Sequence, residues 1–156
     1  MFPLAAAYHA RACLALSRGD RSAARADLAR ALAIDPSVTH LTTRGFVLAG
    51  DGDAAAARAS YDAAIGLADD ETERLGSLRG HYAAMARALY CRACLRIEQG
   101  DPRGALDDLA AAMSHLDLFE SLHRLRLCDL KAAVFAPSRY WIARARAAAE
   151  RRLASL

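Results

Sequence analysis

The chain is predicted to be all-α, on three observations. Strong helix formers, Ala, Leu, Arg and Glu, dominate its 156 residues, while Val, Ile and Thr are scarce. A ten-residue frame is written twice, RACLALSRGD at 11–20 and RACLRIEQGD at 92–101. Apolar residues recur at helical spacing on both sides of each Gly-Asp, which reads as two helices joined at a tight turn. The length suits one domain with a real core rather than two.

The first hairpin covers about 5–36. One helix runs to Gly19-Asp20, a second carries Ala24, Leu28, Ala31 and Leu32, and Pro36 in AIDPS ends it. The second hairpin, about 38–69, is a degenerate copy. Arg44-Gly45-Phe46-Val47 leads through four residues to Gly52-Asp53, followed by Ala57, Tyr61, Ala64 and Ile65. The third, about 86–117, turns at Gly100-Asp101 and continues with Ala105, Leu109, Ala112 and Met113. Glycine at each turn tolerates left-handed backbone, and the aspartate after it offers a carboxylate to cap the next helix. A small residue where two helices cross lets the backbones approach, and the large residue four places on fills the space beside it.

The turns are unevenly spaced: Gly19 to Gly52 is 33 residues and Gly52 to Gly100 is 48. The excess is placed in an inserted helical extension at about 70–85. Asp69-Asp70-Glu71-Thr72-Glu73 has the capping side chains and negative charge of a helix start. The extension is either one overlong helix from about Thr72 to Gln99 or a short extra helix broken near Gly76 or Gly80. Neither glycine adjoins a proline or an obvious cap, which favours the single helix. Two further helices, about Leu118–Phe135 and Ser138–Leu156, are divided by Ala136-Pro137-Ser138 and form a terminal capping pair over 118–156. Ile142, Ala145, Ala149, Leu153 and Leu156 make an apolar stripe on the last helix, with Trp141 beside it as an anchor against the preceding hairpin.

These residues resemble the tetratricopeptide repeat, a helix-turn-helix unit of about 34 residues. Its small first-helix residue falls on Ala12, Gly45 and Ala93, and its second-helix alanines on Ala24 and Ala31, Ala57 and Ala64, Ala105 and Ala112. The chain departs from the family at three slots. The tryptophan slot holds Tyr8, Leu41 and Leu89, and the tyrosine slot Ala15, Leu48 and Arg96. The leucine slot holds Arg11, Arg44 and Arg92, a variant expected of bacterial repeats. The resemblance implies a single right-handed α-solenoid domain over 1–156, built of stacked antiparallel hairpins, whose first helices line a concave groove for a peptide or protein segment. Carried over residue by residue, that groove is lined by Ala6, His9, Cys13 and Leu16, then Thr39, Thr42, Phe46 and Ala49, then Arg87, Tyr90, Cys94 and Ile97. The family's chaperone-tail clamp would fall on His9, Cys13, Thr43, Arg87 and Cys91, and only Arg87 keeps the required charge. The groove therefore suits a partly hydrophobic segment. Phe46 and Tyr90 equally fit a role in packing between neighbouring helices.

Catalytic and metal chemistry find little support in the sequence. Cys91 and Cys94 form a C-x-x-C, but no second ligand pair completes a structural zinc set, and the motif sits inside a helix. Cys94 shares its repeat slot with Cys13, so the repeat explains a small apolar residue there. His9, His40, His81, His115 and His123 show no ligand spacing. Asp69-Asp70 and Asp107-Asp108 are adjacent on their helices and read as caps and solvated faces. No phosphate loop or nucleophile motif occurs. The expectation is a non-catalytic adaptor without metal or cofactor.

The net charge of +3 is carried almost wholly by arginine, Lys131 being the only lysine. That is weak evidence for nucleic acid, which is the less favoured partner. The arginine-rich last helix, RYWIARARAAAERRLASL, is the alternative binding surface, for an acidic partner, a membrane surface or nucleic acid. Homodimerisation through an exposed solenoid end is compatible with either reading. With no export signal and no apolar window of the roughly 18 residues a span needs, the expected location is cytoplasmic, where cysteines stay reduced.

Overall fold

The computed structural model describes the backbone of residues 3–75, 79–123 and 137–155, and the side chains of these apart from 70–75, 79–81 and 120–123. The described residues form seven α-helices and no strand: α1 Pro3–Ser17, α2 Arg21–Ile34, α3 Val38–Gly50, α4 Ala54–Leu75, α5 Arg79–Glu98, α6 Pro102–His123 and α7 Arg139–Ala154. They gather into two compact units, 1–64 and 65–156.

The same turn is built three times. Among the described residues, those with positive φ are Gly19, Gly52 and Gly100, at 78°, 85° and 80°. Each occupies the left-handed position that closes a helix, and the two backbone bonds of a Schellman motif surround it. Gly19 N–H donates to the Leu16 carbonyl and Asp20 N–H to that of Ala15; Gly52 and Asp53 do the same to Ala49 and Leu48, and Gly100 and Asp101 to Ile97 and Arg96. The aspartate then caps the following helix. Asp20, Asp53 and Asp101 accept from the N–H of Ala23, Ala56 and Gly104 at 2.9, 3.0 and 2.9 Å. One Gly-Asp pair thus satisfies the end of one helix and the start of the next.

In the first unit α1 packs on α2, and α2 on α3. Ala12, Ala24, Leu28 and Val47 are the buried centre, with Ala15 and Leu16 packed against them. The α3–α4 crossing uses a different pair for the same purpose. Gly45 lies so close to the buried Tyr61 ring that a methyl group there would stand 2.5 Å from it. Where the first hairpin pairs Ala12 with Leu28, the second pairs a residue with no side chain with a larger partner. Full burial of a leucine such as Leu28 is worth about 1.5–3 kcal/mol.

In the second unit α5 packs on α6, while α7 packs chiefly on α6 and more lightly on α5. Leu89, Ala93, Ala105, Leu109, Ala112, Leu116 and Phe119 are buried, and Ile142, Ala145 and Ala149 bring in the predicted stripe of α7. Leu153 is half-buried, and Leu156 lies outside the described residues. Ser138 caps α7 by accepting from Trp141 N–H at 3.4 Å, as Ala136-Pro137-Ser138 implied.

Two expected boundaries are corrected. The helix expected from about Thr72 to Gln99 does not begin at Thr72: α4 already runs from Ala54 to Leu75, and α5 covers Arg79–Glu98, with 76–78 outside the described residues. Nothing between Ala54 and Leu75 stops a helix, so the acidic run 69–73 prolongs α4 instead of opening a new one. Leu118 likewise starts no helix, because α6 runs through it to His123. The rest of the expected Leu118–Phe135 segment, 124–135, lies outside the described residues.

Candidate functional site

The residues expected to line a groove fall into both units, and each group stands on its own surroundings. In the first unit His9, Cys13 and Leu16 project from α1 at helical spacing, and α3 contributes Thr42 and Phe46. The structure joins His9 to Thr43 rather than to Thr42. The Thr43 hydroxyl donates to the Thr39 carbonyl at 2.9 Å, so its oxygen accepts from His9 Nε2–H at 3.0 Å. Cys13 Sγ lies 3.7 Å from the same nitrogen. The His9 ring also meets that of His40, centroids 4.9 Å apart, and His40 is buried with Nδ1–H donating to the Asp35 carbonyl at 2.8 Å.

Thr42 is only 2% exposed, and its hydroxyl donates to the Val38 carbonyl at 2.7 Å. An internal bond to the preceding turn lets a polar residue sit in the core. Leu16 is packed on the Ala12–Leu28 centre. Phe46, by contrast, is 56% exposed. This face therefore presents an aromatic ring, an exposed thiol and a histidine held by hydrogen bonding.

In the second unit Arg87, Tyr90, Cys94 and Ile97 are all half-buried on α5. Burial, and then the neighbouring Cys94, push the Tyr90 hydroxyl up to about 12, with Arg144 of α7 acting in the opposite direction. Arg152 of α7 donates to the Ile97 carbonyl. Tyr90 and Ile97 thus stand against α7, which accounts for their partial burial. Burial pushes the Cys91 thiol up to about 11 despite the Arg87 charge, and burial also raises Cys94. Both are protonated thiols at neutral pH, the opposite of what a reactive C-x-x-C requires. Among the described residues, no group of three or more His, Cys, Asp or Glu side chains could hold a metal ion.

Sequence reasoning missed the polar pairs that link the two helices of a hairpin. Arg11 Nε and Nη2 each meet the Asp27 carboxylate at 2.6 Å. Arg92 repeats this on Asp108, with Nε at 3.0 Å and Nη2 at 2.6 Å, and Arg96 Nη1 adds a third contact at 3.0 Å. Asp108 is therefore no solvated acid: it is 4% exposed and held by two arginines. Arg11 chiefly, with Arg30 at 3.1 Å, holds the Asp27 carboxyl below the ordinary carboxylate range against the opposing effect of burial. The signal was present in the repeat alignment, where Asp27, Ser60 and Asp108 share a column sixteen residues after Arg11, Arg44 and Arg92.

On α7, Tyr140 and Trp141 are 64% and 49% exposed and meet edge to face at 5.3 Å, with Arg144 over the Trp141 ring. Trp141 is thus no buried anchor, because the α7 residues that face inward are Ile142, Ala145 and Ala149. Arg139 is tied to Asp117 at 2.5 Å and Arg146 to Glu150 at 2.9 Å, so part of the basic charge of this helix is answered within the unit. No described helix is long and apolar enough to cross a membrane.

Compared with family models, with curated proteins and with solved structures, the chain gives no match.

Proposed function

We propose that this chain is a non-catalytic binding module of the tetratricopeptide kind, a right-handed α-solenoid that holds a peptide or protein segment on the face carried by its first helices. The observation that carries the reading is the threefold hairpin: one Schellman-plus-aspartate turn at Gly19, Gly52 and Gly100, and one arginine register at Arg11, Arg44 and Arg92. In the first unit, the α1 and α3 residues left outside the core offer the contact surface. Phe46 is the apolar anchor, with Cys13 and His9 beside it on α1. On α5, Arg87 is the polar anchor, and Tyr90, Cys94 and Ile97 are the apolar complement. Such a surface suits a segment with hydrophobic side chains and a hydrogen-bonding backbone.

The test is a displayed peptide library panned on the wild-type chain and on a Phe46→Ala/Cys13→Ala/Arg87→Ala variant, both verified as helical by far-ultraviolet circular dichroism. Peptides enriched on the wild type and lost on the folded variant support the reading. Peptides enriched equally on both refute it. The exposed Tyr140, Trp141 and Arg144 favour α7 as the rival surface, for an acidic partner. Panning on Trp141→Ala/Arg144→Ala reads that alternative directly.

A further inference from the structure

The chain's positive charge is gathered on one element. Residues 137–156 hold five arginines and one glutamate, more net charge than the +3 of the whole chain, so residues 1–136 are slightly acidic. Two of these arginines are answered nearby, Arg139 by Asp117 and Arg146 by Glu150. Among the described residues Arg144 and Arg151 make no ion pair, and Arg152 is held by a neutral acceptor, the Ile97 carbonyl. The unanswered charges and the exposed rings share one side of α7. Ile142, Ala145 and Ala149 face inward. Opposite them Tyr140, Arg144 and Arg151 follow at i, i+4 and i+11, which a helix brings into one stripe, with Trp141 and Arg152 along one flank. The paired residues Arg139, Arg146 and Glu150 fall together on the other flank, so the stripe has no acid of its own from α7.

An anionic partner answers such a face, and the form of the face indicates which. The two exposed rings and Arg151 lie on the outward side of a single helix whose inward side is packed chiefly on α6. An extended peptide segment is held in a groove with walls on two elements. A single nucleic-acid strand stacks its successive bases on aromatic faces, but the Tyr140 and Trp141 rings stand 73° apart and offer no parallel pair for them. A flat anionic surface needs neither a groove nor parallel rings. Tyrosine and tryptophan, each an apolar body with a polar tip, sit at the headgroup level of a bilayer, and arginines beside them answer the negative charge of the lipids.

We propose that this stripe of α7 docks on an anionic lipid surface, with Tyr140 and Trp141 in the headgroup layer and Arg144 and Arg151 on the lipid phosphates. The contact is peripheral: α7 keeps its place on α6 and α5, and no spanning helix is called on. The stripe lies in the second unit and uses none of the residues assigned to segment binding, so it stands or falls independently of that reading.

Trp141 is the sole tryptophan, so its emission reports this face directly. The experiment titrates the intact chain with phosphatidylcholine vesicles that contain phosphatidylserine. A saturable blue shift is expected, reversed in about 1 M NaCl, where charges are screened beyond about 3 Å. Vesicles of phosphatidylcholine alone are expected to give none. Arg144→Gln/Arg151→Gln keeps the reporter and, with helicity verified by far-ultraviolet circular dichroism, is expected to weaken binding about 25-fold, about fivefold for each arginine. Absence of a shift with the anionic vesicles overturns the proposal outright. An equal shift with phosphatidylcholine alone, or unchanged affinity in the folded double variant, overturns the role of the charges. Single-stranded oligothymidylate or polyglutamate bound more tightly than the anionic vesicles, at equal concentration of negative charge, overturns the assignment to a lipid surface.

Discussion

Substituting Gly45 by alanine sets two known effects against each other. In an ordinary helix interior, Gly→Ala stabilises by roughly 0.5–1 kcal/mol, because glycine loses the most backbone freedom on folding. At this position the new Cβ would lie 2.5 Å from Tyr61 Cε1, 2.7 Å from Cδ1 and 2.9 Å from Cζ, closer than carbon atoms approach without displacement. Tyr61 is 2% exposed, so its ring cannot swing into solvent and must move within the core. Overpacking of this kind costs typically about 1–3 kcal/mol. The net expectation is a loss of about 0.5–2 kcal/mol, overpacking exceeding propensity. The decisive comparison is made in a Tyr61→Leu background, which recreates the small-and-leucine pairing of Ala12 with Leu28. There the clash is gone, and Gly45→Ala should become stabilising by roughly 0.5–1 kcal/mol. Urea unfolding followed by far-ultraviolet circular dichroism measures all four proteins, with a constant slope as the check that the midpoint reports stability. If Gly45→Ala stabilises the chain while Tyr61 is present, the close crossing of α3 and α4 is wrong.

Other expectations follow from the pairs and turns. Asp108→Ala takes the shared carboxylate from Arg92 and Arg96, only 17% and 16% exposed, and should cost about 3 kcal/mol in urea unfolding, the low end of the scale for breaking a buried pair because Arg96 keeps Asp101 and the Gly104 carbonyl. Asp27→Ala should cost less, since Arg11 is 58% exposed and can be solvated. The Asp27 carboxyl is lowered in the folded state, so its contribution is full above the unfolded value of about 4 and lost as pH falls through the folded value. An Asp27→Asn variant should accordingly lose less stability than the wild type on acidification below pH ~4. Gly52→Ala, at φ 85°, should lower the unfolding free energy measured in urea by about 1–2 kcal/mol, with no steric neighbour to blame. Iodoacetamide at neutral pH, read by peptide mass spectrometry, should label exposed Cys13 well before Cys91, whose thiol is pushed up to about 11.

What the sequence made legible is local chemistry. Gly-Asp was readable as a turn because both residues act on backbone within five positions of themselves, and all three turns carry the expected bonds. The helical class and the α7 stripe were readable for the same reason, since periodicity needs no knowledge of a partner helix. Thr42 was misplaced because a hydroxyl bonded to the preceding turn is invisible in a string of letters, and polarity alone suggests exposure. The end of α4 was misplaced because an acidic cluster opens a helix or continues one with equal ease, and only the absence of a stop before Leu75 distinguishes the two.

Asp108 shows why charge is the harder part to read. Asp107 and Asp108 are identical letters, yet one is exposed and the other buried. What separates them is an arginine sixteen residues earlier, on the other arm of the hairpin. Within a hairpin of this geometry that separation brings an Arg on the first helix opposite an Asp on the second, as Arg11–Asp27 and Arg92–Asp108 both do. A buried pair of this sort adds little net stability over an apolar one, but it penalises any helix packing that separates the charges. Each Arg–Asp pair thus fixes register between the two arms of its hairpin. At the middle hairpin the same column holds Ser60, whose hydroxyl takes Arg44 Nε at 3.0 Å and keeps the contact between the arms with one neutral acceptor.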